Sequence, residues 1–90
     1  MKNEYIPFMS KILKVIKHTE IEYTFRMEYI GDVQPGQFFE VSIPKFGEAP
    51  ISVSGIGENY VDLTIRRVGL VTNEIFERYE GDSLFMRGPY

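Results

Sequence analysis

The strict alternation of apolar and polar residues between Ile21 and Tyr29 is the feature that most constrains the fold. Side chains with a period of two fall on opposite faces of a β-strand, whereas a helix requires a period near 3.6. The segment therefore predicts a strand with one buried face. Its buried face is expected to carry Ile21, Tyr23, Phe25, Met27 and Tyr29.

A second strand is predicted immediately before the first one. It runs from Ser10 to Lys17. The chain would reverse direction at the short connection His18–Glu20, so that this strand pairs antiparallel with the alternating strand. The apolar residues divide between two expected faces, with Leu13 and Val15 on one and Ile12 and Ile16 on the other.

Four more short strands follow, separated by turn signals that contain Pro, Gly, Asp or Asn. Such spacing favours a small antiparallel barrel or sandwich. The predicted strands are Gln37–Ile43 (with Phe39, Val41 and Ile43 inward), Ile51–Ser54 after a loop at Pro44–Pro50, Tyr60–Arg67 (with Val61, Leu63 and Ile65 inward), and Ser83–Arg87.

One stretch predicts a helix, between the last two strands. Thr72 is expected at the N-cap, where a hydroxyl is favoured, and Glu74 is expected in the first turn, where an acid is favoured. The apolar stripe would consist of Ile75, Phe76 and Tyr79, and Gly81 would end the helix.

Length and composition narrow the classes of function. Ninety residues predict a single domain, 1–90. A net charge of −3 argues against charge-driven binding of nucleic acid, and no apolar run is long enough for a membrane helix. The chain has no cysteine and one histidine, so thiolate and His-rich metal sites are not expected. We expect a cytoplasmic protein without nucleic-acid or membrane partners.

The common catalytic templates are not found in the sequence. No serine lies in a G-x-S-x-G elbow, no Walker or G-x-G-x-x-G loop occurs, and His18 has no evident partner. The sequence does predict an anion site where Arg66–Thr72 leads from a strand into the helix. The free backbone N–H groups of the helix start and the Thr72 hydroxyl would bind a phosphate, and Arg66 would add a charge-assisted contact. The alternative is that Thr72 only caps the helix and the arginines are solvated.

Five short motifs occur in one order along the chain: Pro35–Phe38, Ala49–Val53, Thr64–Arg66, Val68–Thr72 and Arg87–Pro89. They resemble the flavin-binding barrel of the ferredoxin–NADP⁺ reductase family, in the branch of dihydroorotate dehydrogenase electron-transfer subunits, sulfhydrogenase gamma subunits and the B-type subunits of anaerobic sulfite reductase. The last of these is most similar, on the stretches Gly47–Gly55 and Asp62–Gly69.

The resemblance implies a six-stranded antiparallel Greek-key β-barrel with one capping helix, and it implies which residues bind FAD or FMN. No catalytic side chain and no metal ligand is implied within the chain. The implied cofactor-binding residues are Ala49, Pro50, Ile51 and Ser52 along the flavin ring, Thr64, Ile65 and Arg66 along the flavin chain and ring edge, and Gly69, Val71 and Thr72 around the pyrophosphate.

Two positions differ from the pattern that the resemblance implies. The family usually has an arginine in place of Ala49 and a glycine in place of Val71. An arginine would pair with the flavin phosphate, so we expect Arg66 to compensate. A valine beside the phosphate would be expected to crowd it.

The resemblance also implies a place in a longer protein. Residues 1–90 are expected to be its N-terminal flavin barrel, followed by a nicotinamide-binding domain and a cysteine-rich iron–sulfur region. Electrons would then pass from NAD(P)H through the flavin and the iron–sulfur centre to a partner subunit, such as one that reduces sulfite. The alternative is a non-enzymatic barrel that serves as a binding or assembly module.

Overall fold

The computed structural model describes residues 6–79 and 83–90, and they form six strands and one helix. This confirms the mostly-β class predicted from the alternation. The elements are β1 (Phe8–Lys17), β2 (Glu22–Glu28), β3 (Phe38–Ile43), β4 (Gly47–Ile56), β5 (Tyr60–Arg66), α1 (Leu70–Arg78) and β6 (Ser83–Arg87).

The strands close into an antiparallel barrel with the order β1-β2-β5-β4-β3-β6. Strands β3, β4 and β5 follow one another as hairpins, and β2 lies beside β5 although the chain continues from β2 to β3. This arrangement is a Greek key, because a long connection returns a fourth strand to the edge of a three-stranded meander. Closure gives each of the six described strands a neighbour on both sides over at least part of its length.

Inward side chains from every strand and two residues of the helix fill the barrel. The residues predicted to face inward on β2, β3 and β5 are buried except Tyr23, which is half-buried, and Phe25, Phe39 and Leu63 are completely inaccessible to solvent. Ile21, predicted to be inward, is 42% exposed because β2 begins one residue later. The core consists of Phe25, Met27, Tyr29, Phe39, Val41, Ile43, Ile51, Val61, Leu63, Ile65, Ile75, Phe76, Leu84 and Met86.

Strand β4 is longer than predicted and includes part of the expected loop. It begins at Gly47 and contains Pro50, which pairs with Glu40 of β3. Strand β5 pairs with β4 only from Val53 onward, so one edge of the Gly47–Ser52 half has no strand partner among the described residues. A proline is tolerated on such an edge because no ladder hydrogen bond is lost there.

The predicted faces of β1 are wrong because the strand contains a bulge. The pairing with β2 shifts between Ile12 and Lys14, which makes Leu13 the extra residue. Ile12 and Val15 both pack against the core, although they are three residues apart, and Leu13 is 40% exposed. One inserted residue reverses the alternation on either side of it.

The helix closes one end of the barrel through aromatic contacts. Phe76 stacks on Tyr23 with ring centroids 4.3 Å apart, and Tyr79 meets the edge of Phe25 at 5.5 Å. Ile75 is completely buried, so the predicted apolar stripe of the helix is confirmed. The predicted helix stop at Gly81 lies outside the described residues.

The bulge predicts different effects for two adjacent residues. Ile12→Ala should lower the free energy of unfolding by about 1–2 kcal/mol because it removes atoms packed on the core. Leu13→Ala should lower it by less than about 0.5 kcal/mol because that side chain is largely exposed. Urea unfolding of the two variants measures both values, and a larger loss for Leu13→Ala would contradict the observed register.

Candidate functional site

The predicted site residues lie on three segments that adjoin one another. Strand β5 leads directly into the helix start, and the helix start lies against the beginning of β4. A β-carbon built on Gly47 would lie 3.6 Å from Cγ2 of Val71. Residues of β4, the end of β5 and the first turn of α1 thus border one open strip of surface, which we call the β4–β5 strip.

Side chains of the strip alternate between the barrel core and the outer surface. On β4, Pro50 and Ser52 are exposed, whereas Ala49 and Ile51 pack inward. On β5, Thr64 is half-buried and Arg66 is exposed. The inward side chain between them is Ile65, which is completely buried. A ligand on the strip could therefore contact Ile51 and Ile65 only through their backbones.

The first turn of α1 differs from the prediction. Gly69, and not Thr72, is the N-cap residue, and the helix begins at Leu70. The Thr72 hydroxyl accepts hydrogen bonds from the backbone N–H groups of Val68 (3.0 Å) and Gly69 (2.9 Å), and it donates to the Gly69 carbonyl. Glu74 consequently lies beyond the first turn, which contains no acidic residue.

This cap leaves the backbone donors of the first turn available. Gly69 has no side chain that could accept from them, and no side-chain cap in the described structure bonds to the helix start. The first N–H groups of a helix have no partner within the helix and attract anions. The Thr72 hydroxyl is committed to the preceding loop, so an anion here would be bound by the amides of residues 70–72.

The two adjacent arginines have different environments. Arg67 is held by Asn73 and by Glu77, whose carboxylate oxygen is 2.6 Å from Nη2. Arg66 is exposed and has no ion-pair partner among the residues that the structure describes. Arg66 is therefore a cation on this strip that a ligand can recruit without breaking an existing ion pair.

A further cation near the strip is already paired. Arg87 binds both carboxylate oxygens of Glu48, at 2.6 and 2.8 Å, and donates to the hydroxyl of Tyr90 at 2.6 Å. Hydrogen bonding from Arg87 lowers the pKa of Glu48 below its usual range. Although Glu48 precedes Ala49, this pairing means that Arg87 does not stand in for an arginine at position 49.

Two aromatic rings form a pair beside Ser52, and the sequence analysis missed this pairing. Phe38 lies directly across from Ser52 in the β3–β4 ladder. Its ring packs against Tyr90 with centroids 5.5 Å apart, and the two residues exchange backbone hydrogen bonds. The pair extends the outer surface next to Ser52 with an aromatic, partly exposed patch.

The structure also reveals a set of hydrogen bonds that the sequence did not predict. His18 contacts Thr24, Thr24 contacts Thr64, and Thr64 contacts Ser54. We call these four residues the hydroxyl ladder. Thr24 and Thr64 are opposite each other in the β2–β5 register, which strand alternation alone does not specify.

The strip is an open surface, and a cavity of about 910 Å³ lies elsewhere. Its lining includes Tyr29, Asp32, Gln34 and Gln37, and none of the predicted site residues. Within residues 6–79 and 83–90, no helix is long and apolar enough to span a membrane. No cluster of three or more His, Cys, Asp or Glu side chains in the same ranges could hold a metal ion.

Comparison with known proteins gives consistent relatives. The chain is 36% identical over 80 residues to a protein named as a probable dihydroorotate dehydrogenase B (NAD(+)) electron transfer subunit of Thermoplasma volcanium, and the match covers 89% of this chain. It is 35% identical to the sulfhydrogenase 1 gamma subunit of Pyrococcus furiosus, over 98% of this chain. The chain is homologous to subunits of dihydroorotate dehydrogenases and sulfhydrogenases.

The matches cover nearly all of this chain but only part of each relative. The chain spans about a third of their length, 32% and 33% for the two named above. The whole chain also matches a probable dihydroorotate dehydrogenase B (NAD(+)) electron transfer subunit of Methanothermobacter thermautotrophicus at 35% identity. This match covers 35% of the length of that protein. No protein-family model matches the chain.

The Glu48–Arg87 pair predicts an acid-sensitive contribution to stability. Because the folded-state pKa of Glu48 is depressed, this contribution is present above the unfolded-state pKa and is lost as the pH falls through the folded-state value. Both side chains are partly exposed, so we expect less than about 1 kcal/mol.

Urea unfolding at pH values from about 5 to about 3 measures this contribution, because this interval contains the ordinary pKa of glutamate and the values just below it. The wild type should lose more stability over this range than Glu48→Gln. Glu58→Gln, in the exposed turn between β4 and β5, is the matched control and should follow the wild type. Parallel curves for the wild type and Glu48→Gln would refute the assignment.

Proposed function

We propose that this chain is a flavin-binding barrel of an electron-transfer subunit and that it holds FAD, with FMN as the alternative cofactor. The β4–β5 strip supports this role because it combines free helix N–H groups with an arginine that has no ion pair among the described residues. Homology to electron-transfer subunits supports the same role. The chain spans about a third of the length of those relatives. We therefore also propose, rather than infer from homology alone, the activity of a longer protein that contains this chain.

The anionic end of the cofactor would lie at the helix start. Backbone N–H groups of residues 70–72 would donate to phosphate oxygens, and Arg66 would add a charge-assisted hydrogen bond. Arg66 would take over the role of the arginine that Ala49 replaces. The side chain of Val71 packs against the barrel core. We infer that it leaves its own amide accessible to the phosphate, contrary to the crowding expected from the sequence.

The ring of the cofactor would lie along the outer face of β4. Pro50 and Ser52 are the exposed side chains there, and the Phe38–Tyr90 pair supplies an adjacent apolar surface. The Ser52 hydroxyl would hydrogen-bond a ring nitrogen. The buried Ile51 and Ile65 would contribute backbone groups and a rigid floor.

The chemistry belongs to the cofactor, which accepts a hydride and releases electrons one at a time when it is bound. The chain itself would bind and orient it and exclude water from one face. We propose that electrons reach it from NAD(P)H and leave through an iron–sulfur centre to a partner subunit in the cytoplasm. Nicotinamide and iron–sulfur sites would lie outside residues 1–90.

We propose that the electron acceptor is a partner subunit of the sulfite reductase type, because the stretches Gly47–Gly55 and Asp62–Gly69 resemble the B-type subunits of anaerobic sulfite reductase. The relatives identified by comparison are subunits of dihydroorotate dehydrogenase and sulfhydrogenase, which support a multi-subunit redox complex in general.

Removal of the Arg66 charge should weaken FAD binding. We expect Arg66→Ala to raise the dissociation constant about 10- to 100-fold, the range for a lost charge-assisted hydrogen bond. Lys11→Ala removes the same charge from an exposed position on β1 and should leave the constant unchanged. Quenching of flavin fluorescence measures both dissociation constants.

Equal affinities for Arg66→Ala and the wild type would overturn the role of Arg66. No saturable binding by the wild type would reject the flavin role in favour of the assembly module.

A further inference from the structure

The hydroxyl ladder crosses the outer surface of three strands and ends beside the β4–β5 strip. His18 Nε2 lies 2.7 Å from Thr24 Oγ1, Thr24 Oγ1 lies 2.8 Å from Thr64 Oγ1, and Thr64 Oγ1 lies 2.9 Å from Ser54 Oγ. Ser54 also donates to the carbonyl of Asp62 at 3.1 Å. The ladder thus contains four consecutive hydrogen bonds.

Counting hydrogen atoms fixes the direction of these bonds. Each hydroxyl owns one hydrogen, so the three hydroxyl groups supply three donors for four contacts. The Asp62 carbonyl can only accept, so Ser54 must donate to it. Thr64 must then donate to Ser54, and Thr24 to Thr64. The fourth hydrogen has to come from His18, which requires a hydrogen on Nε2.

The completed ladder leaves no hydroxyl hydrogen for a ligand. Thr24 is buried, whereas Thr64 is half-buried and Ser54 is exposed. Ser54 is also the extra residue of a bulge, because the β4–β5 register shifts between Val53 and Gly55. Bulges redirect side chains. Thr64 and Ser54 therefore present oxygen lone pairs to the surface.

The order of groups along β5 indicates which part of a ligand would meet these lone pairs. Arg66 lies two residues beyond Thr64 on the same face, about 6.6 Å along the strand, and the helix start follows. From β5 toward α1, the surface thus presents first the hydroxyl acceptors, then the Arg66 cation and finally the backbone N–H donors of the helix start. A chain of hydroxyl groups that ends in a phosphate matches this sequence of groups.

We propose that Thr64 and Ser54 accept hydrogen bonds from the ribityl hydroxyls of the flavin, and that His18 and Thr24 are positioning residues that hold them as acceptors. The proposal rests on the flavin-binding role above. It adds Ser54, Thr24 and His18 to the functional residues, and it assigns a partner to the single histidine of the chain.

The first experiment compares riboflavin with lumiflavin, which has the same ring system without the ribityl hydroxyls. Thr64→Val and Ser54→Ala should each weaken riboflavin binding about three- to tenfold, the range for one hydrogen bond, and leave lumiflavin binding unchanged. The ratio of the two constants within one variant is independent of any change in folding stability. An unchanged ratio in both variants would overturn the proposal.

The second experiment locates the hydrogen on the His18 ring, first in the free chain and then after addition of each flavin. The chain has one histidine, so its ring nitrogens give a single set of ¹⁵N signals. In the neutral ring the hydrogen should reside on Nε2, and the signal should shift when riboflavin is added but less when lumiflavin is added. A hydrogen on Nδ1 would contradict the hydrogen count.

A matched pair of variants tests His18 itself. His18→Gln retains an N–H donor at a similar distance, and His18→Glu replaces it with an acceptor of the same length as glutamine. His18→Gln should keep the wild-type ratio of riboflavin to lumiflavin affinity, and His18→Glu should lower it about two- to threefold because one ladder bond is lost. Equal ratios for the two variants would show that His18 does not position the ladder.

Two results separate the flavin-binding role from the contact with the hydroxyl ladder. Wild-type chain that binds neither riboflavin nor lumiflavin, and no FAD, would reject the flavin role and this proposal with it. Binding of both ring systems without discrimination at Thr64 and Ser54 would retain the flavin role and reject only the ladder contact.

Discussion

Strand β4 changes its pairing partner half-way along its length, and this change decides where the helix start and the exposed polar residues meet. A closed barrel requires this ten-residue strand to pair with β3 through Gly47–Ser52 and with β5 from Val53 onward. The end of β5 is therefore not bonded to the beginning of β4. The chain leaves the barrel at this opening and returns as α1, which places the helix start on the same surface as the exposed residues of both strands.

The charges of this surface follow from the same arrangement. Arg67 turns back to α1, and Arg87 is held by Glu48 across β6 and β4, so each is committed to holding elements of the barrel together. Arg66 is left without an ion pair at the end of β5, among the described residues. An available cation next to uncapped backbone N–H groups suits a phosphate better than an extended polyanion, in agreement with the net charge of −3.

Much of the fold could be predicted from the sequence, because the alternation in β2, β3 and β5 reflects burial directly. Phe25, Phe39 and Leu63 were identified as core residues, and all three are completely buried. The errors have local physical causes. The bulge at Leu13 inserts one residue without a composition signal, and Pro50 occupies a strand edge that no other strand of the described barrel covers.

The candidate site was less predictable than the fold. The resemblance predicts which segments form the candidate site, but not which side chains face outward, since that depends on the register of the barrel. Thr72 was expected as the N-cap, and the structure instead uses its hydroxyl to hold Val68 and Gly69. The hydroxyl ladder depends on residues 40 positions apart, Thr24 and Thr64, so only the folded barrel reveals it.

We propose that a flavin binds at the opening between β4, β5 and α1. Titration of ¹⁵N-labelled chain with FAD tests it most directly, because every non-proline amide reports separately. The largest shifts are expected at Leu70, Val71 and Thr72, with further shifts at Ser52 and Thr64. Shifts confined to the 910 Å³ cavity around Tyr29–Gln37, or spread evenly over the barrel, would contradict it.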